Sequence, residues 1–376
     1  MNHTPDTSDS HLSAVIVGCG IIGLNHAKAM LLHSALTITA LVDAVPPAAH
    51  ALADEIVDLG GTRPREYDTL AAALEAEPCD LVAICTPSGL HIALADEAVA
   101  AGKHVVIEKP LDVSLPRARQ LRDVAQRAHE KGIIVSVISQ HRFDPASIVV
   151  SDAARAGRFG RITSAVASVA WWRTQEYYDS GQWRGTWELD GGGAVMNQGV
   201  HTVDLLLWFL GRPIDVDART ALLAHDRIEV EDVAVATVRF ASGALAVFHA
   251  TTAAFPGLSV RIGIYGDRGS AIIDNDQLTY FAADGARRNS AARVIPASER
   301  RRRPDDFMRG HLRQYEDVVD AIRSHREPGV TVTDALLALA VVRAMYISAT
   351  LGRTVTIDEI LDGSLDTVNV RTGGTE

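Results

Sequence analysis

Cysteine is scarce and odd in number. Cys19, Cys79 and Cys85 are the only three in 376 residues, all in the first quarter, and no two form a Cys-x-x-Cys pair. Such a set excludes a disulfide framework and offers no zinc-ligand spacing, so a reducing, cytoplasmic setting is expected. Positive charge is also short: 36 Lys and Arg against 47 Asp and Glu leave a formal net charge of -11. Nucleic acid requires a cationic face that displaces counterions from phosphate, so no nucleic-acid partner is expected. Residues 1–13 lack the cationic start and apolar run of a secretion signal and read as a disordered lead-in. No apolar run reaches the ~18 residues that span a bilayer, so no membrane partner is expected.

What remains is a chain long and apolar enough, at 47% hydrophobic, for two domains. From Ala14 to Arg142, short β-branched runs (14–17, 37–42, 81–85, 104–107, 133–138) alternate with Ala/Leu-rich helical stretches (68–77, 90–101, 115–131). That rhythm predicts an α/β domain around a parallel sheet over 14–142. From 143 to 376, strand-like segments at 161–172, 233–240, 244–251, 259–265 and 271–274 follow one another through turns, which predicts an open, mostly antiparallel sheet. Helices are expected at 194–210, 310–326 and 334–351, the last apolar on most faces and therefore buried. The arginine-rich stretch from Ala283 to Arg303 reads as a polar loop.

Gly18-Cys19-Gly20-Ile21-Ile22-Gly23 follows the first strand and opens a helix, the context a dinucleotide fingerprint requires. Gly18 permits the turn, Gly20 admits the pyrophosphate, Gly23 lets helix and strand approach, and Ile21 and Ile22 begin the helix that faces the phosphates. Asp43, at the end of the next strand, would accept both hydroxyls of an adenosine ribose and repel a 2′-phosphate, so NAD is favoured over NADP. The rival reading of Asp43 is a turn former before Pro46-Pro47. Thr86 and Pro87 close a later strand at the carboxyl edge, where they would line the nicotinamide half, and His91 either touches cofactor or begins the next helix.

Glu108-Lys109-Pro110 ends another strand at the same edge. Lys109 there would donate to a substrate oxygen, while Glu108 would pair with its surroundings or with a ribose hydroxyl, and Pro110 could follow a cis bond. In the second half, Gly191-Gly192-Gly193 precedes a helix on which Asn197 and His201 share a face, with Asp204 near enough to orient the His201 ring. A neutral histidine suits removal of a hydroxyl proton during hydride transfer. Alone, His201 reads better as a core histidine on an apolar helix; Lys109 and the dinucleotide motif turn the reading to catalysis. A metal site built on Asp204 and His225 lacks a third ligand at characteristic spacing, so no metal is expected. Arg173, Tyr178, Trp183 and Arg184 belong to an aromatic-arginine stretch suited to a polyhydroxylated or anionic molecule, or to a subunit interface.

In order and spacing, these motifs resemble the family of glucose-fructose oxidoreductase and inositol dehydrogenase. The resemblance spans nearly the whole chain. It implies a Rossmann domain, a C-terminal α/β domain whose sheet builds a homo-oligomer, dimer or tetramer, and reversible oxidation of a sugar or cyclitol hydroxyl with NAD. The family's usual set is the lysine of Glu-Lys-Pro, an aspartate, and a histidine four residues after it. Lys109 and His201 match; Asn197 stands where that aspartate would be, and no proton-moving role is carried over to it. The stretches Tyr177 to Ser180, Trp183 to Glu188 and Met196 to Gln198 resemble the branch that oxidises C3 of UDP-N-acetylglucosaminuronic acid. The expected function is therefore NAD-dependent oxidation of a secondary hydroxyl on a sugar, sugar acid or nucleotide sugar, with cyclitol oxidation, keto-sugar reduction or a non-catalytic sensor as alternatives.

Overall fold

The computed structural model describes residues 11–181, 184–283 and 306–372. The chain divides into two compact units, residues 1–140 with 304–336, and 141–303 with 337–376. The first unit carries six parallel strands, β1 (Leu12–Val17), β2 (Leu36–Val42), β3 (Arg65–Tyr67), β4 (Leu81–Ile84), β5 (His104–Ile107) and β6 (Val135–Val137), in the order β3-β2-β1-β4-β5-β6. Its helices are α1 (Ile21–Leu31), α2 (Pro46–Asp58), α3 (Leu70–Ala76), α4 (His91–Ala100) and α5 (Leu115–His129). Every residue of β4 is buried, as a parallel strand covered on both faces requires. The order reverses between β1 and β4, the switch point at which such sheets bind ligands beyond their strand ends.

The sequence reading runs the second domain unbroken from 143 to 376, but the structure returns a late segment to the first unit. The physical reason is an amphipathic helix, α9 (Asp306–Ser324), whose Tyr315, Val318 and Val319 complete the apolar core around Ala27, Met30 and Ile56. Gln314 fastens it, donating to Val137 O at 2.8 Å and accepting from Ser139 N at 3.0 Å.

The second unit holds an eight-stranded sheet built from β7 (Ile162–Ala170), β8 (Pro213–Ala221), β9 (Val233–Phe240), β10 (Leu245–Thr251), β11 (Val260–Gly266), β12 (Ser270–Asp274), β13 (Gln277–Ala282) and β14 (Val355–Thr356). The order is β13-β12-β11-β7-β10-β9-β8-β14, antiparallel except where β10 pairs with β7. Strands β8, β13 and β14 were not expected. β9 alternates buried and exposed positions, so the sheet covers a core on one face and leaves the other open. Helices α6 (Pro145–Arg155), α7 (Gln175–Asp179), α8 (Val200–Leu210) and α11 (Ile357–Leu361) belong here, and the division between units falls inside α10 (Val332–Leu351).

By length and mean hydropathy α10 could cross a membrane, although Asp334 and Arg343 interrupt its apolar run; 72% of its apolar window is buried, as in a core helix. The expected arginine-rich loop lies outside the described residues from position 284 onward. If α9 belongs to the first unit's core, Tyr315→Ala should cost about 3–5 kcal/mol of stability and weaken NAD binding together with it. Thermal melts with and without NAD test this, and a melting temperature within a degree or two of the parent would count against it.

Candidate active site

In the first unit, Gly18 sits at φ 95°, and a Cβ there would lie 2.7 Å from the Cys85 backbone. A Cβ at Gly23 would meet Gly18 O at 2.2 Å, so the start of α1 can approach β1 only without side chains at both places. A Cβ on Gly20, by contrast, would meet nothing within 4 Å: it faces open space at the N-terminus of α1, beside Ile21, which is 79% exposed. That bare helix start suits a pyrophosphate. Asp43 accepts from Cys19 N and Val45 N, both at 2.8 Å, which fixes its carboxylate at the end of β2 beside the glycine turn. Carboxylate oxygens retain lone pairs for ribose hydroxyls. Thr86 Oγ1 is buried without a hydrogen-bond partner among the described residues, an orphan that a bound dinucleotide could satisfy. Gly20, Asp43 and Thr86 thus fit NAD.

Two residues expected at the cofactor prove to lie beneath the surface. His91 begins α4 but is buried, and its two ring nitrogens lie 2.9 Å from Thr86 O and 3.1 Å from Pro110 O, between the two edge loops, with the single N–H of the neutral ring donating to one of them. Glu108 is buried between His26 at 3.0 Å and His311 at 3.2 Å, and also accepts from Lys109 N at 2.9 Å. A carboxylate can only accept, so His26 Nε2 donates to it, and neutral Nδ1 then accepts from the Tyr315 hydroxyl at 2.6 Å. Burial works against the Glu108 charge, yet the hydrogen bonds of His26 and His311 outweigh it and hold the carboxyl well below its usual range. Both residues contact the main chain of this edge, Glu108 at Lys109 N. The Lys109–Pro110 bond is cis.

In the second unit, Ala194–Gly199 forms a turn of π-helix that runs into α8, a distortion frequent at functional sites. Glu231, fully buried, accepts from Gly193 N (2.9 Å), Val195 N (2.8 Å) and the Tyr346 hydroxyl (3.0 Å), and so satisfies buried backbone donors at the start of this turn. A Cβ on Gly193 would fall 1.8 Å from Glu231 O and one on Gly192 2.2 Å from the Tyr346 hydroxyl, which explains these two glycines. Sequence reasoning missed Glu231 and Tyr346; the side-chain-free Gly191 to Gly193 was their only trace.

Asn197 Nδ2 donates to Asp190 Oδ1 at 2.6 Å and to Gly192 O at 3.2 Å. An aspartate at 197 would set two carboxylates against each other, so the amide is the residue this neighbourhood tolerates. The His201 ring meets the His141 ring edge to face at 5.1 Å. Asp204, the residue expected to orient His201, accepts from Arg142 at 2.6 and 2.8 Å in a buried bidentate pair.

Arg173 stacks on Trp171 and Tyr177, at 4.9 and 5.0 Å, and Arg184 stacks on the same Tyr177 at 4.4 Å. Tyr178, expected to touch substrate, is instead buried, bonding Thr252 at 2.8 Å with its hydroxyl pushed up to about 12 by burial. Its neighbour Tyr177 carries the two guanidinium groups. Trp183 lies outside the described residues. His225 pairs with Asp232 at 3.0 Å and with Arg173 O at 2.9 Å.

Burial lifts Glu231 to about 7 despite its three donors. Because the folded state holds this proton more tightly than the unfolded chain, the stabilisation is complete below about pH 4 and is lost as pH rises through about 7, on the order of 3 kcal/mol over the interval. Wild type should therefore gain stability on Glu231→Gln as pH falls from 8 to 5, and a melting-temperature difference that stays flat over that range would refute the assignment.

The chain matches the oxidoreductase-family model for an NAD-binding Rossmann fold over residues 12–139 and the GFO/IDH/MocA C-terminal domain over residues 149–272. It is 27% identical to the inositol 2-dehydrogenase of Rhizobium meliloti over 91% of this chain and 98% of that one. It is 25% identical to the scyllo-inositol 2-dehydrogenase (NAD(+)) of Bacillus subtilis, over 89% and 92%. Among solved structures, the WlbA dehydrogenase from Bordetella pertussis, in complex with NADH and UDP-GlcNAcA, superposes with a TM-score of 0.81 at 31% identity, over 93% of this chain and 98% of that one. A fingerprint built for a dinucleotide in the first unit and a glycine-led helix bearing His201 in the second, matched over nearly the full length by such relatives, make this chain a member of the Gfo/Idh/MocA family of NAD-binding oxidoreductases.

Proposed function

We propose that the chain oxidises a secondary hydroxyl of an anionic sugar, a sugar acid or nucleotide sugar, at C3 in the reading its local motifs favour. The observation that carries this is the pair Arg173 and Arg184 fixed on one Tyr177 ring. Two guanidinium groups stacked on an aromatic ring are held in place for carboxylate or phosphate, groups that a neutral cyclitol lacks. The WlbA structure, with its nucleotide sugar acid, supports the same class.

When bound, NAD supplies the acceptor for the hydride leaving the carbinol carbon. His201 takes the hydroxyl proton, Lys109 polarises the oxygen, and Asn197, held by Asp190, positions a neighbouring hydroxyl. The open face of the second unit's sheet, with Val166, Val235 and Val247 each more than two-fifths exposed, supports a homo-oligomer assembled through that face. His201→Ala and Lys109→Met should each lower turnover about 10²- to 10⁴-fold with NAD affinity retained. A panel of sugar acids, nucleotide sugars and inositols, scored by NADH formation, identifies the substrate. A preference for inositols would overturn the anionic reading, and full activity in both variants would overturn the roles given to the two side chains.

A further inference from the structure

Beneath His201 the second unit encloses a cavity of about 30 Å³, walled by apolar Trp171 and Leu205 and by polar His141, Gln198, His201 and Asp276. Gln198 is 7% exposed, and its Oε1, fully buried, finds no hydrogen-bond partner among the described residues. A water needs roughly 10–15 Å³ and two to four polar partners, and this cavity meets both conditions. Asp276 comes from the two-residue turn Asn275-Asp276 that joins β12 to β13, both residues in the left-handed region (φ 46° and 63°) that tight hairpins demand. That turn brings Asp276 Oδ1 to 3.3 Å from His141 Nδ1, while Asp144, at the start of α6, lies 2.8 Å away on the same nitrogen. The Asp276 side chain is 21% exposed, so it also reaches solvent.

We propose that the cavity holds an ordered water linking His201 to Asp276, and that this pair is the exit for the proton released in the reaction. The inference rests on His201 being the base. In the oxidation direction the substrate O–H bond breaks and its proton goes to one nitrogen of the His201 ring. The ring's other nitrogen gives a proton to the cavity water, the water gives one to the Asp276 carboxylate, and Asp276 releases it to solvent. No electrons move in these steps; the water and Asp276 return to their starting protonation, and the His201 ring is left neutral as the opposite tautomer, which exchanges back through solvent before the next oxidation; in reduction the path runs backwards.

His141 is the positioning residue. The groups facing it are Asp144, Asp276 and the His201 ring. Burial opposes its charge, but the two carboxylates outweigh burial and raise it to about 9, so it is already protonated at neutral pH and holds Asp276 as a carboxylate rather than receiving the proton.

A high-resolution crystal structure of the protein should show water bonded to Gln198 Oε1 and Asp276; a dry cavity overturns the proposal. With NAD and the sugar identified above, Asp276→Asn should lower kcat about a hundredfold at unchanged KM and NAD affinity, and added imidazole buffer should restore much of the loss. A loss that buffer does not restore would make Asp276 merely structural and overturn the relay. Should Asp276→Asn fail to fold, Gln198→Leu, which displaces the water, decides: kcat must fall, and an unchanged kcat overturns the relay. Full activity in His201→Ala sinks the base assignment instead, so the two failures are distinct.

Discussion

A carboxylate in the protein interior fixes the second unit's site. Glu231 is the acceptor for Gly193 N, Val195 N and the Tyr346 hydroxyl, and so anchors the start of the segment that carries Asn197 and His201. Burying a charge costs several kcal/mol unless it is well bonded, and leaving buried N–H groups unpaired costs about 1–3 kcal/mol each. The fold resolves both at once. Because the Glu231 main chain runs against the turn, position 193 admits no side chain, and the π-helix begins at the residue that follows.

The first unit uses the same device with different electrostatics. Glu108 anchors the main chain of Lys109 as Glu231 anchors the start of the His201 helix. Glu108 has two imidazoles as donors and stays ionised; Glu231 has two backbone amides and a phenol, and burial prevails. In each unit the group proposed to meet substrate is held through its own or a neighbouring backbone, so its geometry is set before any ligand arrives, which is what preorganised acid-base chemistry needs.

The elements that announce themselves in sequence are those whose signal is local. The glycine fingerprint and Asp43 define a turn, a helix start and a strand end within some 25 residues, and the structure places them together at the carboxyl edge of one sheet. Strand β9 alternates in the sequence as it does in burial. What could not be read is non-local. Tyr315 reaches His26 across 289 positions, and Tyr346 reaches Met196 across 150. Tyr177 and Tyr178 are adjacent and chemically alike; only the packing of Thr252 and His225 against one of them decides which is core and which faces the arginines. Likewise, His91 and Glu108 stand at the expected edge but turn inward, because backbone carbonyls and two histidines claim them first.

Asn197 joins these threads. The family pattern has an aspartate there, and this chain carries an amide because Asp190 already stands at hydrogen-bond distance, its other oxygen occupied by Gly185 N. Two carboxylates so close would force one to keep a proton, which removes the charge a relay requires. With position 197 confined to holding a hydroxyl, a base at His201 still has to discard its proton between turnovers. The carboxylate suited to that task is Asp276, which shares a cavity with the His201 ring and is held by a cation of its own, His141. The substitution in the motif and the acidic residue behind the helix are thus two sides of one arrangement: an acid withdrawn from beside Asp190 and another supplied beside the His141 cation.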